Sequence, residues 1–120
     1  LGALQSLEIY GNQLEGSIPK ELGQLGALKV LELYSNKLEG SIPIELGQLG
    51  DLQIVYLSDN QLEVLPLAIA VAFSHKRTVL SFNPWKEPPS DVVRQGFDAV
   101  VRYWKDAGLY GRRLSNRLKV

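Results

Sequence analysis

The chain has 120 residues, 45% hydrophobic and 22% charged, with no cysteine, no methionine and a formal net charge of zero. The lack of cysteine excludes disulfides, thiolate metal sites and cysteine nucleophiles, and no apolar run approaches the ~20 residues of a membrane-spanning helix. The charge is split: residues 1–74 carry three lysines against nine acids, net −6, and residues 75–120 carry ten basic residues against four acids, net +6.

The chain opens in mid-pattern at Leu1-Gly2-Ala3-Leu4. It is therefore read as a piece of a longer protein, and missing targeting signals say nothing of the parent. Residues 1–24, LGALQSLEIYGNQLEGSIPKELGQ, recur almost unchanged as residues 25–48. A third unit starts at Leu49 with LGDLQIVYLSDNQLE and then changes phase. A fourth, from His75 to Trp85, is degenerate. A fixed period of this length marks a solenoid, in which each unit buries its apolar face only against its neighbours.

Each unit carries the frame L-x-x-L-x-L-x-x-N-x-L. Its alternating part, Leu7-Glu8-Ile9 or Leu31-Glu32-Leu33, has the period of a strand. Stacking the units predicts inward columns Leu7-Leu31-Val55-Thr78, Ile9-Leu33-Leu57-Leu80 and Leu14-Leu38-Leu62-Trp85. The expected fold class is α/β: a right-handed solenoid of about four coils with a parallel concave sheet. Asn12, Asn36, Asn60 and Asn83 stand where the chain leaves each strand. A buried turn leaves backbone N–H and C=O groups without partners, and an amide side chain both donates and accepts. These four are expected to form a structural ladder.

The outward strand positions define the candidate binding face. They stack as Ser6-Val30-Ile54-Arg77, Glu8-Glu32-Tyr56-Val79 and Tyr10-Tyr34-Ser58-Ser81, with Gly11, Ser35, Asp59 and Phe82 beside them. Stacked carboxylates are unfavourable in a sheet, so the Glu8–Glu32 pair fits a partner that brings positive charge. Tyrosines offer large contact surfaces with a hydroxyl handle. The candidate partner-binding residues are therefore Glu8, Tyr10, Glu32, Tyr34, Tyr56, Asp59 and Phe82. The plainer alternative is that near-identical repeats copy glutamate and tyrosine without any selection for binding.

Catalysis, metals and cofactors find no support. Glu8 and Glu32 have the spacing of a catalytic carboxylate pair, but the face is open and shallow. His75, the one histidine, fills a degenerate leucine position and has no ligand partners at metal spacing. No serine has a histidine and an acid around it, and no phosphate loop occurs. No cofactor and no metal are expected.

Beyond the array, assigned to residues 1–89, the spacing of Val93, Phe97, Val100, Val101 and Trp104 predicts an amphipathic capping helix over residues 90–108. Ser90 would cap its N-terminus and Gly108 would end it. Gly96, inside it, would allow close packing on the last coil. Residues 109–120 form a basic tail towards a following domain. Arg102, Lys105, Arg112, Arg113, Arg117 and Lys119 could meet nucleic acid. Because Trp104 belongs to the apolar stripe, a linker or domain-contact surface is the preferred reading, with neither nucleic acid nor membrane as partner.

The units resemble the plant-specific class of leucine-rich repeat, whose L-x-G-x-I-P signature recurs at Leu14-Glu15-Gly16-Ser17-Ile18-Pro19 and Leu38-Glu39-Gly40-Ser41-Ile42-Pro43. Unit three, Leu62-Glu63-Val64-Leu65-Pro66, lacks the glycine and is similar to the repeat type of intracellular proteins. The cap resembles the end of the repeat array in Roco-family GTPases, through Asn83, Pro84, Pro88, Pro89, Val92, Gly96, Ala99, Val100 and Tyr103. Residues 114–120 are similar to the run-in to the GTPase domain there. Secreted repeat proteins often tie their ends with disulfides, so the cysteine-free end points to the cytoplasm.

These resemblances imply a non-catalytic module that recognises a protein or peptide through its concave face. Two alternatives remain. One is a structural or regulatory array within a Roco-type GTPase. The other is a receptor-type module for a peptide or foreign, immune-type ligand. Self-association through the uncapped N-terminal edge is also expected.

Overall fold

The computed structural model describes residues 3–107. The described chain winds as four coils, each opening with a three-residue strand: β1 Ser6–Glu8, β3 Val30–Glu32, β5 Ile54–Tyr56 and β7 Arg77–Val79. They form one parallel sheet in the order β1-β3-β5-β7. The register is that of the repeat, with Leu7 opposite Leu31, Leu31 opposite Val55 and Val55 opposite Thr78. Leu31, Val55, Leu33 and Leu57 are fully or almost fully buried, while their counterparts in the first coil are more exposed. A coil closes its apolar face only when another lies on each side.

A second sheet lies after the asparagine turns and was not foreseen. Strands β2 Glu15–Ser17, β4 Lys37–Ser41 and β6 Gln61–Val64 pair in parallel. Its register is staggered: Gly16 faces Leu38 and Gly40 faces Leu62. The expected column Leu14-Leu38-Leu62-Trp85 is therefore not a row of strand neighbours. Leu38, Leu62 and Trp85 still join one core cluster, because side chains displaced by two positions on a strand point to the same face. Gly16 and Gly40 have φ of 80° and 81°, a conformation that carries no Cβ penalty in glycine.

Proline ends each of these segments. Pro19 and Pro43 precede short 3-10 stretches, Lys20–Gln24 and Ile44–Gln48, and Pro66 precedes an α-helix, α1 Leu67–Phe73. Its locked φ suits a helical first turn, and its missing N–H is no loss there. The residues just before, Ile18, Ile42 and Leu65, are buried and anchor the turn. In α1 the sequence LAIAVAF is rich in alanine, the strongest helix former, and turns Ile69, Ala70 and Phe73 into the core.

The cap is helical but not continuous. Helix α2 spans Ser90–Arg94, the chain breaks at Gln95 and Gly96, and α3 covers residues 97–107. Gly96 has φ of +106°, and a Cβ built on it would meet nothing within 4 Å. Its role is thus conformational, correcting the expectation of close packing within one helix. Ser90 does not cap α2 either. Pro89 holds that position, and the Ser90 hydroxyl donates to the Trp85 carbonyl at 3.2 Å. Ala99 and Val100 are buried, with Phe97, Val101 and Trp104 packed against the core. Trp104 Nε1 donates to the Leu65 carbonyl at 2.8 Å, which pins α3 across the third coil. Gly108 and the basic tail over residues 109–120 lie outside the described residues.

Candidate functional site

The concave sheet sets the rows of the candidate face. Glu8 lies opposite Glu32, Glu32 opposite Tyr56, and Tyr56 opposite Val79. Ser6, Val30, Ile54 and Arg77 form the row beside it. Just past the strands, Tyr10 and Tyr34 stack with ring centroids 4.7 Å apart and planes within 4° of parallel. Tyr34 meets Tyr56 edge-on at 6.3 Å and 61°. Three rings from three coils thus make one aromatic strip beside two carboxylates. Tyr56 reaches that strip although it occupies the glutamate row, so its direction could not be read from the repeat frame.

The strip is polar at its edges. Ser6 Oγ donates to Glu8 Oε2 at 2.5 Å, and Ser35 Oγ to Asp59 Oδ2 at 3.0 Å. The ion pairs among the described residues are Lys86–Glu63 and Arg94–Asp91, so no described cation neutralises Glu8 or Glu32. The Tyr34 phenol is pushed above its ordinary value, first by partial burial and then by the nearby Tyr10, Glu32, Glu8 and Tyr56 groups. A neutral phenol is a donor and an acceptor at once, so Tyr34 keeps both capacities at neutral pH.

The four turns after the concave strands share a backbone state. Gly11, Ser35, Asp59 and Phe82 have φ of 68°, 58°, 57° and 60°. Their alignment was legible in the repeat, but the left-handed conformation was not, since only the first is glycine. Phe82 is 83% exposed.

The asparagine ladder is cross-coil for three members. Asn36 Nδ2 donates to Ile9 O at 2.8 Å and Leu33 O at 3.0 Å, while its Oδ1 accepts from Leu14 N at 3.3 Å. Asn60 repeats this with Leu33, Leu57 and Leu38, and Asn83 with Leu57, Leu80 and Leu62. Asn12 is exposed and its amide donates to Tyr10 O of its own coil at 3.0 Å.

One feature of the surface went unseen in the sequence. A cleft of about 680 Å³ opens between the fourth coil and the cap, walled by Val79, Leu80, Phe82, Trp85, Val93 and Phe97. Nothing in a repeat frame signals a space that forms only where the frame ends. His75 is exposed and does not line the cleft. Among the described residues no cluster of three or more His, Cys, Asp or Glu is placed to hold a metal ion, and no helix is long and apolar enough to cross a membrane.

Residues 3–25 and 27–49 match the family described as Leucine Rich Repeat. No curated protein sequence matches the chain. Among solved structures, the chain is similar to one from the BIR3–SERK2 complex of Arabidopsis thaliana, at 37% identity over 67% of this chain and 42% of that one, with a TM-score of 0.59. It is also similar to one from the plant peptide hormone receptor RGFR1 in complex with RGF2, at 35% identity over 68% of this chain and 13% of that one, with a TM-score of 0.61. A leucine-rich-repeat protein of Leptospira interrogans shares 36% identity over 77% of this chain and 23% of that one, with a TM-score of 0.63. The chain thus spans less than half the length of each of these.

Proposed function

We propose that this chain, which carries leucine-rich repeats and has the leucine-rich-repeat fold, is a non-catalytic module that binds a protein or peptide through its concave face. The observation that carries this reading is the strip of Tyr10, Tyr34 and Tyr56 beside Glu8 and Glu32, which no cation among the described residues neutralises. Aromatic rings dominate recognition surfaces because they bury much area with few rotors. The carboxylates add charge selectivity and a faster encounter with a cationic partner. Two of the similar structures are of complexes, one of them of a plant peptide hormone receptor with RGF2, which supports the receptor-type form of the reading.

The test is selection of a randomised peptide library on the immobilised chain and on a variant with E8Q, Y10S, E32Q, Y34S and Y56S. Enrichment on the first and not on the second is expected. Equal enrichment on both removes the concave face from consideration. The second reading, a structural or regulatory array beside a GTPase domain, draws on the motif running from Asn83 to Tyr103. Its residues Ala99 and Val100 are the buried residues of α3 in the cap. That reading moves the sensitive positions to Arg112, Arg113 and Arg117, outside the described residues.

A further inference from the structure

We infer that the cleft between the fourth coil and the cap is a side-chain pocket that continues the concave face, and that the two together select an extended peptide with a basic residue and, four positions away, a bulky apolar one. This rests on the concave face being the recognition surface and adds the chemistry of its partner.

The cleft has the size of a ligand site. Its volume of about 680 Å³ falls within the ~300–1,000 Å³ of small-molecule and cofactor sites, ample room for one bulky side chain. Its walls are mainly aliphatic and aromatic, with Thr78, Ser81, Asn83, Ser90 and Arg94 as polar groups at hand. Phe82 stands at its margin under two penalties. A non-glycine residue held left-handed is strained, and at 83% exposed it recovers little from burial. The equivalent turn positions hold Gly11, Ser35 and Asp59, all small or polar. An aromatic ring placed there gains contact when a ligand lies against it, and strained, exposed groups cluster at such sites.

The spacing follows from the sheet. Val79 belongs both to the cleft and to the row Glu8-Glu32-Tyr56-Val79. Neighbouring strands lie ~4.8 Å apart, so the row runs roughly 10 Å from Glu32 to Val79 and roughly 14 Å from Glu8. An extended peptide advances ~3.4 Å per residue and returns a side chain to the same face every second position. Residues four apart lie on one face and ~14 Å from each other. One end of such a pair meets the carboxylates while the other meets the cleft. The acidic end calls for lysine or arginine, and the apolar end for leucine, isoleucine, methionine or phenylalanine.

The experiment selects randomised dodecapeptides on the immobilised full chain, then measures affinities of synthetic copies by fluorescence anisotropy. Enriched sequences with a basic and a bulky apolar residue four apart are expected, in either order. Phe82→Asn suits a left-handed turn at an exposed position, and Val79→Lys places a cation at the cleft. Each should weaken binding about tenfold, as should E8Q with E32Q. Moving the apolar residue next to the basic one should remove the cleft's share. If E8Q with E32Q weakens binding while Phe82→Asn and Val79→Lys leave it unchanged, the concave reading survives and the pocket is overturned. Binding indifferent to all of these changes overturns both. Self-association abolished by Val79→Lys, with no peptide enriched, assigns the cleft to a second copy and overturns the pocket as stated.

Discussion

The side-chain amide of Asn36 donates to the carbonyl of Ile9 at 2.8 Å, across the interface between two coils. The same amide oxygen accepts from Leu14 N, so one side chain closes two backbone groups that the turn leaves open. Asn60 does this fully buried between its neighbours, with bonds to Leu33, Leu57 and Leu38. Asn60→Ala should therefore cost ~1–3 kcal/mol, the range for leaving buried polar groups unpaired. Asn12→Ala should stay within ~0.5 kcal/mol, as for exposed positions. Urea unfolding of the two variants separates them. Equal losses would mean that the sequence motif, and not the cross-coil bonds, sets the stability.

Tyr34 provides a pH test. Its phenol is pushed above the ordinary value by burial first, and then by Tyr10, Glu32, Glu8 and Tyr56. The neutral form is the one favoured in the folded chain. Its contribution to stability is complete below the ordinary phenol value and is lost as pH rises through the raised one. In a 295 nm titration, Tyr34→Phe should remove a phase lying above the ordinary range. E32Q should move that phase downward without abolishing the shift, because burial is the larger cause. Tyr103 gives a second late phase, raised first by its hydrogen bond to Glu87, which Tyr103→Phe removes. An unshifted Tyr34 would mean that the aromatic strip is not packed as described.

Two glycines should respond to alanine for different reasons. A Cβ on Gly23 would lie 2.6 Å from the Glu45 carbonyl oxygen, so Gly23→Ala forces the first two coils apart. Gly96 has free space but φ of +106°, so Gly96→Ala strains the cap joint alone. Both should lose ~1–3 kcal/mol, against little change for Gly26→Ala, where a Cβ meets nothing. Thermal denaturation followed by circular dichroism checks this. An unaltered Gly23→Ala would show that the coils have slack between their helical edges.

The pattern of legibility has a physical basis. Where a residue's neighbour is the same residue one unit later, the 24-residue period names the contact directly. Leu7 opposite Leu31 and Glu8 opposite Glu32 were readable for that reason. The second sheet was not, because β2 and β4 pair with a two-residue stagger around Gly16 and Leu38, and no period reveals an offset. The joint at Gly96 was hidden too. Helical spacing continues across it, so Val93 and Phe97 look like members of one stripe although the backbone turns between them. The cleft beside Phe82 arises where the repeat meets a non-repeat element. Such places depend on how two unlike surfaces meet, which local pattern does not encode.

The first coil presents the last test. Leu4, Ile9 and Leu14 are 38%, 36% and 38% exposed, whereas their counterparts Leu28, Leu33 and Leu38 are buried. Strands β1 and β2 also stand at the ends of their sheets, with one line of backbone groups unpaired among the described residues. Apolar side chains beside open strand edges favour pairing with another chain. Sedimentation velocity should therefore show association that grows with concentration. Ile9→Lys with Leu14→Lys should suppress it while leaving the unfolding midpoint nearly unchanged, since neither side chain is fully buried. A purely monomeric profile for the unaltered chain at high concentration would show that this edge does not recruit a second copy. Association that persists in the double lysine variant would place the contact elsewhere, with the acidic coils and the basic C-terminal segment as the next pair to separate by raising salt.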